Sequence, residues 1–307
     1  MMKGSMPSTR PAPNQALRRA ILFINPQKKR ARDLGDEIGR ELACLGIEAD
    51  IFSFPERPGF NTKEGYDAAI TLGGDGTVLY AARTISPLGI PIFPVNLGTF
   101  GFIAGVSPDE WRSVFRRWLD GKVNLSKRLM LEMTVMREGS EVLRGCCLND
   151  VVISASGIAK IISLRVSCSK TGGTEFFELG SYRCDGLIAA TPTGSTAHSM
   201  AAGGPVVDPE LEALILNPIC PFILSHRPML LPPGETVLIE VEKKQRSGVL
   251  LTADGQVTEE LLPGDMIYLK KAPYHSLLLA SDRAVFYQAL RTKLGWAGSG
   301  EGGSLRA

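Results

Sequence analysis

The chain has 307 residues, 44% of them hydrophobic, enough for one large domain or two ordinary ones. Its 34 basic and 32 acidic residues leave a formal net charge of +2, a near-balance with no electrostatic footprint for nucleic acid or a membrane surface. No apolar run is long enough to span a bilayer, and six cysteines without C-x-x-C spacing beside three unclustered histidines argue against zinc and for reduced, mostly buried thiols in a cytoplasmic protein.

Residues 1–16 are rich in Pro, Ser and Arg, lack an apolar signal-peptide core and are expected to form a disordered leader. A strand is predicted over 20–25 and a helix over 31–45, closed by Gly46. Between them Gln27-Lys28-Lys29-Arg30 reads as a solvated loop, with attraction for a polyanionic donor as the second reading. Strands over 47–54 and 67–72 follow, then a glycine turn, a short helix and a strand over 90–95. Ser107-Pro108-Asp109-Glu110 has the form of a capping box with Pro at the first helical position, opening a helix to about residue 120. Such alternation implies a parallel sheet with helices on its faces. Ligands of these sheets gather beyond the carboxyl ends of the strands, where Asp75 and Asn96 fall.

After Gly121 the texture changes. Short stretches over 129–137, 142–148, 151–154, 161–169 and 174–179 alternate apolar with polar residues between glycine-rich turns. Further strands are predicted over 236–241, 248–252, 266–270 and 276–279, and the series indicates an antiparallel sandwich. The expected organisation is therefore an α/β domain over 17–121, a β-sandwich over 122–281, a helical segment over 282–296 and a disordered Gly/Ser-rich tail over 297–307.

Two motifs carry the chemistry. Gly73-Gly74-Asp75-Gly76-Thr77 follows a buried-strand run, and its glycines let the backbone approach a ligand without Cβ interference. The amides can turn toward phosphate oxygens, with Asp75 as the only charge in the turn and a helix expected from Thr77. The second motif runs from Asp185 through Thr191-Pro192-Thr193-Gly194-Ser195-Thr196-Ala197-His198-Ser199 to Gly203-Gly204-Pro205. There a buried-strand run opens into hydroxyl residues and free amides suited to phosphate or ribose oxygens. Each motif alone also reads as a plain strand-to-helix turn. The chain has no Walker loop, and no G-x-G-x-x-G follows a strand.

Together these motifs, with Asn96-Leu97-Gly98, Gly101-Phe102 and Leu148-Asn149-Asp150, resemble the NAD kinases in content and in order over roughly residues 20 to 290. The glycine–acid turn is shared with diacylglycerol-type lipid kinases and phosphofructokinases, whereas the Thr-Pro-Thr-Gly-Ser-Thr-Ala run is far more specific. His198 stands where a Tyr is usual, Cys184 where Ser is common, Phe100 where Leu is common and Asp150 where many members have Glu.

The resemblance implies transfer of a terminal phosphoryl group, from ATP or another donor, to the 2′-hydroxyl of the adenosine ribose of NAD. Asp75 would accept the hydroxyl proton as the bond forms. Gly74, Gly76 and Thr77 would lie at the phosphates. Asn149 is expected at an adenine edge and Asp150 at ribose hydroxyls, although Asn-Asp is also a favoured turn pair. Arg183 and Asp185 are placed at the dinucleotide, Asp185 near the nicotinamide amide, with a structural ion pair as the competing reading. Thr191, Ser195, Thr196 and Ser199 supply hydroxyls, within a binding run that includes Ala197, Met200 and Ala201. His198 either stacks on adenine or caps the helix start. Lys160 and Gln256 are expected to reach the ligand, Lys160 otherwise being solvated and Asp254-Gly255-Gln256 otherwise reading as a hairpin turn. Phe102 lines the adenine pocket or belongs to the core.

A divalent metal ion, Mg²⁺, is expected on the phosphates with few protein ligands, and no metal residue is named. The C-terminal segment is expected to return to the α/β domain, and the chain to form a dimer or tetramer. A lipid kinase and a catalytically silent NADP(H)-binding sensor are the rival readings. The first is disfavoured by the second motif and the second by Asp75.

Overall fold

The computed structural model describes residues 17–25, 29–53, 65–98, 101–157, 160–170, 173 and 175–296. The expected leader and tail, together with Gln27, Lys28 and Phe100, lie outside them.

The first part of the chain folds as β1 (Arg19–Ile24), α1 (Lys29–Cys44), β2 (Glu48–Ser53), β3 (Ala68–Gly73), α2 (Asp75–Ile85), β4 (Ile92–Asn96) and α3 (Trp111–Leu119). The four strands are parallel, in the order β2-β1-β3-β4. All six residues of β3 are buried, as expected of a strand covered on both faces. On one face Leu34, Ile38 and Leu42, a helical stripe of α1, pack with Leu22, Phe93 and Trp111. On the other, Val78, Ala82 and Ile85 of α2 pack with Ile21, Phe23 and Ile92. Gly46, at φ 74, ends α1 in the left-handed conformation its C-cap requires.

The expected capping box is not formed. Ser107 Oγ donates to Glu110 Oε2 at 2.7 Å, so the two side chains satisfy each other instead of the backbone, and α3 starts only at Trp111.

The rest of the chain forms β5 (Leu125–Arg137), β6 (Ser140–Cys147), β7 (Asp150–Ala155), β8 (Ile162–Ser169), β9 (Phe176–Cys184), β10 (Gly186–Ala190), α4 (His198–Ala201), β11 (Leu214–Ile219), β12 (Met229–Leu231), β13 (Thr236–Val241), β14 (Val249–Ala253), β15 (Val257–Leu261), β16 (Met266–Leu279) and α5 (Arg283–Leu294). Six antiparallel strands, in the order β12-β11-β10-β7-β14-β15, make one sheet. Its inner face meets strands β5, β8, β13 and β16 across a core that includes Val151, Ile153, Leu187, Leu251, Leu131, Leu164 and Ile239.

The two strands expected over 266–270 and 276–279 are one, β16, with a register shift between Lys271 and His275. Near its end Leu278 pairs in parallel with Ile92 of β4. The parallel sheet and one sandwich sheet therefore continue as a single ten-stranded sheet. Of the six cysteines, all free, Cys147 and Cys184 are buried while Cys44 and Cys220 are exposed, so the expectation of mostly buried thiols is corrected. Burial pushes the Cys184 thiol up to about 12.

Candidate active site

The helix after the glycine turn begins two residues earlier than expected. Gly74 is the extended N-cap, and Asp75 is the first residue of α2. The amides of Asp75 and Gly76 thus precede the first helical hydrogen bond, and Gly76 is exposed. Thr77 is buried, with its N–H on Gly74 O at 3.0 Å.

Across from this turn, residues 101–104 aim their backbone at the Asp75 carboxylate. Oδ2 accepts from Phe102 N at 3.0 Å, and Oδ1 accepts from Ile103 N at 3.3 Å and Ala104 N at 3.0 Å. A carboxylate has about four acceptor positions, so one on Oδ2 remains for a further donor. The approach is possible because residue 101 is glycine: a Cβ there would overlap the carboxylate. Asn96, at the end of β4, donates through Nδ2 to Ala104 O at 3.1 Å and accepts from Gly98 N at 2.9 Å. The loop is fixed from both sides.

A second junction joins α2 to the sandwich. Asp254 lies in the β14–β15 turn with φ 51, followed by Gly255 at φ 64, the paired left-handed geometry of a tight hairpin. Its fully buried carboxylate accepts from Leu148 N at 3.1 Å, Asn149 N at 2.8 Å and, at 3.4 Å, Asp150 N. Arg83 of α2 donates to it at 3.2 Å and to Gln256 Oε1 at 2.6 Å. Gln256 Nε2 in turn donates to Gly76 O at 2.9 Å. Burial pushes the Asp254 carboxyl up, and the Asn149 and Leu148 amides with Arg83 oppose that shift. The glycine turn and the Leu148-Asn149-Asp150 turn are thereby held against each other.

The second motif packs along the other side of that turn. Thr191 Oγ1 donates to Leu148 O at 2.5 Å, and Thr191 N donates to Asn149 O at 2.8 Å. Gly194 lies so close to Asn149 that a Cβ would overlap its carbonyl. Thr191, Ser195 and Ser199 have no exposed surface. Ser195 Oγ exchanges hydrogen bonds with Val207, and Ser199 Oγ accepts from Asn217 Nδ2 at 3.3 Å. These hydroxyls, expected to face a ligand, brace the loop instead. Thr196, Ala197 and Met200 are half-buried and Ala201 is exposed.

His198 does not cap α4. The N-cap is Ala197, and no side chain bonds there. His198 Nδ1 lies 3.2 Å from both oxygens of the buried Asp150 carboxylate while the ring stays 59% exposed. That hydrogen bond raises the imidazole above its ordinary value of 6.5, with partial burial opposing it.

Three expected residues stand apart. Asp185 precedes Gly186 at one end of β10, and Asp150 pairs with Ala190 at the other, five residue rises away, or roughly 16 Å. Arg183 shares the Asp185 end, its guanidinium 5.1 Å from the Phe222 ring, and no ion pair joins the two among the described residues. Lys160, exposed, precedes β8, whose Ile162 pairs with Cys184 at that same end. Phe102 lies under α5, 6.3 Å from the Phe286 ring with Lys293 over its face. The site also includes Arg83 and Asp254, which the sequence does not mark as functional. Arg83 carries no local signal, and the Asp254-Gly255 pair reads in sequence as a turn.

A glycine turn presenting one carboxylate and free helix-start amides, facing a braced amide-rich turn on a second domain, is the build of an enzyme that transfers phosphoryl groups to a nucleotide. Residues 9–123 match the family model for the ATP-NAD kinase N-terminal domain and residues 148–281 that for the C-terminal domain. The chain belongs to the NAD kinase family, and so to the phosphotransferases. The NAD kinase of Treponema denticola is 40% identical over 286 residues, covering 92% of this chain and 98% of that one. That of Syntrophotalea carbinolica is 42% identical over 231 residues, 75% and 78% of the two chains. Yeast NADH kinase complexed with NADH shares the fold with a TM-score of 0.80 at 23% identity, covering 94% of this chain and 90% of that one. An Archaeoglobus fulgidus NAD kinase in complex with ATP gives 0.68 at 24% identity, over 89% and 96%.

Proposed function

We propose that this NAD kinase moves the terminal phosphoryl group of ATP to the 2′-hydroxyl of the adenosine ribose of NAD, with Asp75 as proton acceptor. The supporting observation is the cradle around Asp75: three amides fix its carboxylate and leave one acceptor position on Oδ2. A ribose hydroxyl donating there is oriented in line for attack, and its proton passes to Oδ2 as the new P–O bond forms and the bond to the leaving oxygen breaks. The amides of Asp75 and Gly76 receive phosphate oxygens at the helix start.

Asn149 and Asp150 hold the adenosine half, Asp150 acting through His198, whose exposed ring stacks on the base. Thr196, Ala197, Met200, Ala201 and Gln256 line the same side, with Thr191, Ser195 and Ser199 setting the loop's shape. Among the described residues no three His, Cys, Asp or Glu side chains converge on a metal position. A divalent ion, Mg²⁺, would be held mostly by the donor phosphates and would supply neutralisation of their charge.

Among the described residues no helix is long and apolar enough to cross a membrane, and the free thiols suit a reducing compartment, so we place the protein in the cytoplasm. Phe222, Ile223 and Leu224 are exposed beside Arg183, a patch suited to self-association into a dimer or tetramer, to be checked by light scattering.

The test is a coupled assay with ATP, NAD and Mg²⁺. Wild type should form NADP, and Asp75→Asn should lower turnover about a hundredfold or more while NAD binding stays within a few-fold. Near-normal turnover in the variant would reduce Asp75 to a structural role. No NADP from the wild type would favour the silent sensor.

A further inference from the structure

The loop whose amides hold Asp75 is itself held from behind, on its carbonyl side. Asn96 takes Ala104 O, and Ser281 Oγ donates to Ile103 O at 2.8 Å. Ser281 is not part of the α/β domain. It lies between β16 and α5, in the segment that comes back after the sandwich is complete.

Ser281 is anchored in turn by Arg128 of β5. Arg128 Nη2 donates to the Ser281 carbonyl and lies 3.4 Å from its hydroxyl. This arginine is 1% exposed, among the largest fully buried side chains of the protein. Burial pushes its guanidinium down to about 10, with Glu210, Asp208 and Asp282 opposing, so it is charged at neutral pH. A buried charge is a costly way to fill space that an apolar side chain could occupy, and it is tolerated where its hydrogen bonds fix a geometry.

The surrounding backbone is equally constrained. Ala280, just before Ser281, sits at φ 50, a conformation that alanine keeps only when its neighbours enforce it. On the next turn Val285 packs so tightly on Gly105 that a Cβ there would overlap it. Ser281, held by Arg128, therefore meets the Asp75 loop with little freedom to shift.

We propose that Arg128 and Ser281 are positioning residues for phosphoryl transfer: through Ile103 they fix the amides that orient the Asp75 carboxylate. The proposal rests on Asp75 being the proton acceptor. It also gives the returning C-terminal segment a part in turnover, since the loop that aims Asp75 is finished only when residue 281 arrives.

Ser281→Ala removes the bond to Ile103 O and leaves the carbonyl for Arg128. In the full-length enzyme kcat should fall about tenfold, with KM for NAD and for ATP within about twofold, the pattern of a misaimed group rather than lost binding. Ser281→Thr keeps the hydroxyl and should restore most of kcat. Arg128→Met should cost more, and if it does not fold the serine pair still decides the matter. In an Asp75→Asn background Ser281→Ala should add almost nothing, because the two act as one unit, whereas a purely structural serine would act additively. Wild-type kcat for Ser281→Ala beside an inactive Asp75→Asn, or additive losses in the double variant, would overturn the relay alone. An active Asp75→Asn would instead remove the reading of Asp75 on which it stands.

Discussion

Replacing Asp254 by alanine strikes the junction that holds the two motifs together. The carboxylate is fully buried and accepts from three backbone amides and from Arg83. The bonds to Asn149 at 2.8 Å and Leu148 at 3.1 Å are well formed, while that to Asp150 at 3.4 Å is marginal. Each buried amide left without a partner costs ~1–3 kcal/mol. Arg83 keeps Gln256 and is 13% exposed, so its own loss is partly made up by water. The sum is about 4 kcal/mol, in the range for breaking a buried pair from one side. Taking the sandwich as the cooperative unit, that lowers Tm by roughly 8–16 °C. Asp254→Asn keeps one acceptor oxygen but turns an amide donor toward N–H groups, for about half the loss. In both variants KM for NAD should rise several-fold, because the Asn149 turn loses its anchor. Urea unfolding with steady-state kinetics makes the measurement. An Asp254→Ala protein within about 1 kcal/mol of wild type, with an unchanged KM, would refute the reasoning.

The His198–Asp150 pair gives a pH signature. The folded-state pKa of His198 is raised above its ordinary 6.5, so the pair stabilises fully below about pH 6.5 and fades as pH rises through the raised value. His198→Ala should therefore cost up to about 1 kcal/mol below about pH 6.5 and progressively less as pH rises through the raised value, the ring being largely exposed; a penalty that does not fall with rising pH contradicts the pairing. Gly101→Ala puts a methyl group where the Asp75 carboxylate lies and should lower kcat roughly ten- to a hundredfold while the protein stays folded. Normal turnover in that variant would mean the carboxylate works from another position.

Much of this architecture is written locally. The alternation of strand and helix up to Gly121 and of short strands beyond it follows from periodicities of 3.6 and 2, because each element must turn its apolar side to a core. The sequence therefore yields β1 to β4, the sandwich and α5. It does not yield the short β12 and β15, nor β11, whose Leu-Ile-Leu-Asn-Pro-Ile is buried at nearly every position and carries no alternation to read. Nor does it show that 266–279 is one strand, since the shift between Lys271 and His275 breaks the pattern.

At the site the division is similar. The residue types of the Asp75 turn and of the Thr191 to Ala201 run are legible because glycines, hydroxyls and a lone acid have few structural reasons to gather after a buried strand. Which of them meet solvent is not legible: Thr191, Ser195 and Ser199 look like ligand donors in one dimension and are braces in three. Asp75 finds its amides 27 to 29 positions away, Arg83 finds Asp254 at 171, and Arg128 finds Ser281 at 153. A hydrogen bond needs its partners within about 3.5 Å in space and is indifferent to their separation along the chain. Sequence by itself determined the two domains, the family and the acid at the turn; the folded chain alone decided what holds that acid in place.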